Sequence, residues 1–380
     1  MPGILPVAPR EPGFEQYAGD LVAAARAQGA RDWLDPLYFE PLASRSDAVR
    51  LAGEIAARGA ELVHVHHEFG FMGSKTPVRY RFPALVRELR ARAPGAKLVA
   101  TAHTVLGPDY AYPWRGRGVQ APFRLAANYV FLPRLRRLWL QDTWGPLDGV
   151  IVHSRNQLAS ARASGCPRVR EIAHYVPEEE HSGAALPARL RPVAGPMLLV
   201  FGYFTPEKAQ DVAIRAMARV RGPAELVLAG GVRRGQDRGY LASCERLIAE
   251  LGLGARVQIT GFVSFEELDA LVARAALVLL PFRETSGSGS LADLMSRRAP
   301  ILASDLPLNL EIAERAPGAL RYFKSEDPDD CARAIEALLA RPDELAALKR
   351  GAGSYAEAFS ARKMAEKHRA FFAEVMSGAS

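Results

Sequence analysis

Cysteine is scarce: Cys166, Cys244 and Cys331 are the only three in 380 residues. They are far apart, with no CxxC spacing and no Cys/His neighbour at ligand spacing, which speaks against zinc and fits a reducing compartment. Long apolar runs are also missing. None approaches the ~20 residues that span a bilayer. The opening MPGILPVAPREPG has no basic segment followed by an apolar one, so no secretory leader is expected and the expected location is cytoplasmic. No short tandem repeat appears, and the composition is neither disordered nor fibrous. A local shortage is sharper. Between Asp109 and Asp142 there is no acid, while arginines and aromatics crowd YAYPWRGRGVQAPFRLAANYVFLPRLRRLWLQ, residues 110–141. This stretch is a candidate for peripheral contact with an anionic membrane surface, or for an anionic acceptor with Arg115 as a contact. The plainer reading is a loop and helix that pack their aromatics inward, interrupted at Pro122 and Pro133.

What is present is a rhythm. Short apolar runs (ILPVAP, AELVHVHH, AKLVATAH, DGVIVHS, VREIAH, PMLLVFG, AELVLAG, RVQITG, ALVLLP, APILAS) alternate with amphipathic stretches at 14–28, 78–93, 155–164, 208–220, 237–251, 265–274, 330–340 and 355–378. Runs that are apolar on both faces read as buried parallel strands, and the alternation reads as βαβ units in doubly wound sheets. At this length two domains are expected. The rhythm pauses in PEEEHSGAALPARLRPVAGP. The expected division is therefore a first domain over 1–177, a linker over 178–195 and a second domain over 196–354, with a helix at 355–380 packing back on the first. The net charge of +7 favours anionic partners. No groove-reading motif accompanies it, so nucleic acid is not an expected partner.

The stretch ALVLLPFRETSGSGSLADLM, residues 276–295, joins an apolar strand to a helix through a Ser/Gly turn. Helix N-termini offer unpaired N–H groups and a positive dipole end, so the turn is a candidate phosphate cradle. Gly287-Ser-Gly289-Ser-Leu-Ala292 fits a dinucleotide fingerprint, and Asp305 lies about where the ribose-binding acid belongs. Against that, Phe282 to Ser286 separate the strand from the first glycine, and several βα units come earlier. The alternative is a longer loop in which Glu284, Thr285 and Ser286 meet sugar hydroxyls while the N–H groups from Gly287 through Ser288, Gly289 and Ser290 to Leu291 take a diphosphate. Asp327-Pro-Asp329 matches a metal-binding DxD pattern, but SEDPDDCARAIEAL reads better as the acidic first turn of a helix.

The order of these elements resembles the GT-B glycosyltransferases, specifically the retaining glycosyltransferase family 4. VFGYFTPEKAQDVAIRAM is similar to the unit that opens that family's second domain, with Lys208 at its phosphate-binding lysine. LVLAGG, RVQITGFVSFEELDALVARAALVLLPF and LADLMSRRAPILASD follow in the family's order. HVHHEFGFMG, LVATAHTVLGPD and GVIVHSRNQLASARASG resemble parts of its first domain. The resemblance implies two Rossmann-like domains facing across a cleft. It implies transfer of a sugar from a nucleotide-diphosphate donor to a sugar, glycan, lipid or small-molecule acceptor, with retention and without a metal or other cofactor. His103, Lys208 and Glu284 would serve catalysis. Gly13, Thr205, Arg233 and Val263 would join the loop in binding the donor, and His66 and His67 would line the acceptor side. Two places depart from the family: Tyr203 stands where an arginine is usual, and Thr285 and Asp293 stand where two glutamates are usual. A catalytically silent nucleotide-sugar-binding or scaffold protein on the same fold is the first alternative, and an NAD(P)-dependent oxidoreductase the second.

Overall fold

The computed structural model describes residues 3–73, 79–106, 139–166, 168–178, 185–232, 235–285 and 289–378. The chain divides into two compact units, one of Met1–Ala173 with Ala361–Ser380, the other of His174–Ser360.

The first unit is built on a six-stranded sheet, β1 (Ile4–Pro9), β2 (Leu37–Phe39), β3 (Leu62–His67), β4 (Lys97–Ala102), β5 (Gly149–Val152) and β6 (Val169–Glu171). Its order is β2-β1-β3-β4-β5-β6, and every pairing is parallel. All six residues of β1 and of β3 are buried, as expected when helices cover both faces. The helices are α1 (Pro12–Ala27), α2 (Arg45–Ala56), α3 (Phe82–Arg92) and α4 (Arg155–Ala163). Local chemistry starts two of them: Ser44 and Asp47 form a capping box on α2, and the Ser154 side chain accepts from the Gln157 N–H on α4.

The second unit holds β7 (Met197–Phe201), β8 (Glu225–Ala229), β9 (Val257–Gly261), β10 (Leu277–Leu280), β11 (Ile301–Ser304) and β12 (Arg321–Phe323). Their order is β12-β11-β10-β7-β8-β9, again all parallel. Around them lie α5 (Gln210–Met217), α6 (Arg238–Glu250), α7 (Phe265–Arg274), α8 (Gly289–Ser296), α9 (Pro307–Arg315), α10 (Pro328–Leu339) and α11 (Pro342–Ala358). The last helix, α12 (Ala361–Ser377), belongs to the first unit.

The structure adds to the sequence reading in three places. The helix expected from 355 is two helices, α11 and α12, interrupted at Phe359–Ser360, where Ser360 bridges Val176 in parallel and the Val176 N–H donates to the Phe359 carbonyl at 2.8 Å. The described part of the expected linker is docked on the second unit. Arg189 donates to the Thr260 carbonyl at 2.6 Å and pairs with Glu267 at 2.9 Å, and the Arg191 N–H donates to Gln258. Short edge strands β2 and β12, and helices α2, α9 and the body of α11, add to the elements read from the sequence. Among the described residues no helix is long and apolar enough to cross a membrane.

Candidate active site

Parallel sheets bind ligands beyond their carboxyl ends, where neighbouring strands send their connections to opposite sides. In the second unit that switch point lies between β7 and β10. Gly202, just after β7, has φ +136, a conformation that L side chains rarely adopt. Its N–H donates to the Ala229 carbonyl at 3.0 Å. A Cβ on the facing Gly230 would lie 1.8 Å from the Gly202 carbonyl, so two glycines let the β7 and β8 ends touch. A Cβ on Gly202 would meet Lys208 Cε and Ser290 Oγ, each at 3.7 Å. Lys208, from the turn after β7, and Ser290, in the first turn of α8 after β10, therefore converge on one glycine.

Lys208 ends a 3-10 turn, Pro206–Lys208, that starts from Thr205, whose carbonyl accepts from the Lys208 N–H at 3.0 Å. The next residue, buried Ala209, is left-handed (φ 51) and gives way to α5. Lys208 Nζ stands 3.7 Å from the Phe282 ring centroid, a cation–π contact that holds the ammonium beside the β10 loop. In that loop Glu284 is exposed, and the buried Thr285 hydroxyl finds no partner among the described residues. Gly289 and Ser290 open α8, and Leu291 anchors it in the core. Ser286, Gly287 and Ser288 lie outside the described residues, as do Arg233, Arg115 and most of 110–141.

Beside this turn Phe262 is 60% exposed, and its ring packs edge-on to Tyr203 at 6.0 Å. The ring covers Gly231, where a Cβ would approach it to 2.5 Å. Val263 is half-buried against the core, and Arg189 donates to the Phe262 carbonyl. Asp305 is committed elsewhere: it accepts from the Ser325 N–H at 2.7 Å and from its hydroxyl, which ties the ends of β11 and β12 together. Asp327 caps α10 by accepting from the Asp329 and Asp330 N–H groups, and Asp329 pairs with Arg219. Among the described residues no three His, Cys, Asp or Glu side chains are grouped so as to hold a metal ion.

The first unit gathers histidines at the carboxyl ends of β3, β4 and β5. His153 Nδ1 lies 2.9 Å from the Ile172 carbonyl, His153 Nε2 lies 3.3 Å from His103 Nδ1, and His103 Nε2 lies 3.3 Å from His66 Nδ1. A carbonyl only accepts, so His153 Nδ1 carries the proton and its Nε2 accepts from His103. His103 Nε2 then accepts from His66 Nδ1–H. The rings of Phe14 and Tyr17 pack edge-on to His103 at 4.8 and 5.2 Å. On the same face His64 donates to or accepts from Thr101 Oγ1 at 2.7 Å, and its ring centroid is 4.5 Å from that of His66 and 5.7 Å from that of His368. Burial, and then the positive charge a neighbouring histidine would carry, push the His64 and His66 pKa values well below the usual imidazole range. Burial takes His67 down to about 3 and His368 to about 4.

Two expectations change here. His66 and His67 are fully enclosed, His67 by Tyr80 at 2.6 Å and by Phe69, Phe82 and Trp144, so neither presents a surface to an acceptor. Gly13 lies inside α1 and not in the loop before it, and a Cβ there would meet only Glu11, at 3.8 Å. His153 and His368 were not singled out from the sequence. The available signal was that three consecutive apolar strands each end in histidine.

Residues 195–341 match the family described as glycosyl transferases group 1. A D-inositol 3-phosphate glycosyltransferase of Salinispora tropica is 27% identical over 338 residues, covering 83% of this chain and 63% of the relative. The chain spans from half to under two thirds of the first curated relatives it matches. Sucrose-phosphate synthase of Thermosynechococcus elongatus superposes over 100% of both chains with a TM-score of 0.75 at 16% identity. Anabaena HepE in complex with UDP-glucose covers 98% of this chain and 99% of its own, with a TM-score of 0.69 at 14% identity. The chain thus has the fold of the GT-B glycosyltransferases, and over residues 195–341 it matches their group 1.

Proposed function

We propose that the protein transfers a sugar from a nucleoside-diphosphate donor to a hydroxyl acceptor, with retention and without a metal. The observation that carries this is the convergence of Lys208 and of Ser290, at the N-terminus of α8, on Gly202 at the β7/β10 switch point. As the glycosidic bond breaks, negative charge grows on the leaving diphosphate. The Lys208 ammonium and the N–H groups of Gly289 and Ser290, at the positive end of α8, meet that charge. Glu284, exposed in the loop that leads into α8, is placed to hold sugar hydroxyls. The exposed pair Tyr203 and Phe262 gives the nucleoside an aromatic surface on which to stack. The relative named for an inositol 3-phosphate acceptor supports a small polar acceptor here, ahead of a glycan or lipid.

A thermal-shift panel of UDP-, GDP-, ADP- and dTDP-sugars against NAD(P) tests the reading. One nucleotide should stabilise the fold by about 2.7 kcal/mol at a hundredfold excess over Kd, and Lys208→Ala should abolish the effect. Stabilisation by NAD(P) alone refutes it. Tyr203, in place of the family's arginine, favours silent binding as a second reading. Release of nucleoside diphosphate on mixing donor with acceptor decides between the two.

A further inference from the structure

Arg283 immediately precedes the exposed Glu284, yet its guanidinium is turned away from the loop surface and is only 26% accessible. Its backbone N–H donates to the Glu207 carbonyl at 2.8 Å, and its Nη1 donates to the Pro206 carbonyl at 2.9 Å. These are the two residues before Lys208. Nη1 and Nη2 also form a two-pronged pair with Asp211, at 2.9 and 2.8 Å, and Asp211 lies three residues after Lys208 in the first turn of α5. The Tyr240 hydroxyl from α6 donates to the same carboxylate at 2.6 Å. Nε donates to Glu326 at 2.6 Å, in the turn after β12, where Glu326 is itself left-handed (φ 61). One side chain thus fastens the loops after β7, β10 and β12. It grips the chain on both sides of Lys208, across the left-handed Ala209.

We propose that Arg283 is a positioning residue: clamped to Asp211, Glu326 and the Pro206 carbonyl, it fixes the Lys208 turn so that the ammonium is presented to the donor diphosphate. The proposal rests on the donor-binding reading of Lys208. A planar fork suits this task, because two parallel hydrogen bonds fix direction as well as distance. Burial alone would lift the Asp211 carboxyl, but the hydrogen bonds from Arg283 and Tyr240 outweigh it and hold the group below the usual carboxylate range, so the clamp stays charged at neutral pH. Phe282, the residue before Arg283, carries the Lys208 ammonium over its ring. The same two adjacent residues therefore set both the backbone and the side chain of the lysine.

A double-mutant cycle on UDP binding, measured by calorimetry and repeated with GDP where UDP gives no heat, tests this. Lys208→Ala and Arg283→Ala should each weaken the nucleotide about tenfold, and the double variant should be no weaker than either, because both losses pass through one lysine. Arg283→Lys keeps the charge, loses the fork and should weaken binding to the same degree while the thermal midpoint stays near that of the parent. It also serves if Arg283→Ala does not fold. Independent losses that multiply to about a hundredfold overturn the proposal and leave the donor reading standing. So does unchanged affinity in both Arg283 variants beside a weakened Lys208→Ala. If Lys208→Ala binds the nucleotide as well as the parent does, the donor reading falls, and the proposal with it.

Discussion

Acidification should unfold the first unit well before the second. His64, His66, His67 and His368 are all fully buried there, and burial depresses each pKa, to about 3 for His67 and about 4 for His368. A group depressed in the folded state leaves stability intact above its unfolded pKa, about 6.5 for histidine, and removes it as pH falls from there toward the folded value. Between pH 7 and 5 the unfolded chain takes up a proton at each site and the folded chain does not, a loss of about 2 kcal/mol per histidine. Four such sites give about 8 kcal/mol, against a total stability of about 5–15 kcal/mol for a domain. The assay is urea unfolding followed by tryptophan fluorescence at pH 5 to 7.5. All four tryptophans, Trp33, Trp114, Trp139 and Trp144, fall in the span of the first unit, so the signal reports on that unit. The slope of stability against pH should approach four protons, and His368→Leu should lower it by one. A slope below about one proton would mean that these rings are charged or open to water in the folded state, and would refute the reasoning.

The His66–His103–His153 chain predicts that His103 carries its proton on Nδ1. Nitrogen-15 NMR of histidine-labelled protein should show this, and His153→Phe should release the tautomer while His153→Gln, with an oxygen near the former Nε2, should keep it. Asp327→Ala should cost about 1 kcal/mol of stability through the lost α10 cap, measured by urea unfolding, and neither this variant nor EDTA should change sugar transfer.

The strands were legible because parallel strands buried on both faces leave runs such as PMLLVFG and ALVLLP that nothing else in the chain imitates. The edges were not. β2 is three residues, Leu37–Phe39, and β12, Arg321–Phe323, has two exposed side chains, since an edge strand has only one neighbour to bury it. The α11 helix was hidden by its own glycines, which argue against a helix in isolation. A Cβ at Gly351 would meet the Gly318 carbonyl at 2.1 Å, and one at Gly353 would press on Arg298, so close packing requires what propensity disfavours. In the candidate site, Lys208 and the Ser/Gly turn could be picked out by resemblance, but their meeting depends on β10 lying beside β7. The histidines were misread for a related reason. Alternation correctly puts His64 and His66 on one face, yet only the partners supplied by β4, β5 and α12 show that this face is closed.

That closure bears on the charge His103 can carry. A second proton on His103 would place N–H groups on both of its nitrogens. His66 would then have to accept at Nδ1 and move its own proton to Nε2, a buried atom without a partner among the described residues. A stranded buried N–H costs about 1–3 kcal/mol, so His103 is poorly suited to meet the charge of a diphosphate. On the proposed donor reading the charge is met instead by Lys208 and the start of α8, where no such penalty applies. The two variants should therefore separate. His103→Ala should leave UDP affinity within about twofold, because it removes no charge from the phosphates. Lys208→Ala should lose about tenfold or more in affinity and in kcat together, because its charge acts on the ground state and more strongly on the departing diphosphate. A tenfold loss of UDP affinity in His103→Ala would place a charged imidazole at the phosphates and reverse the assignment.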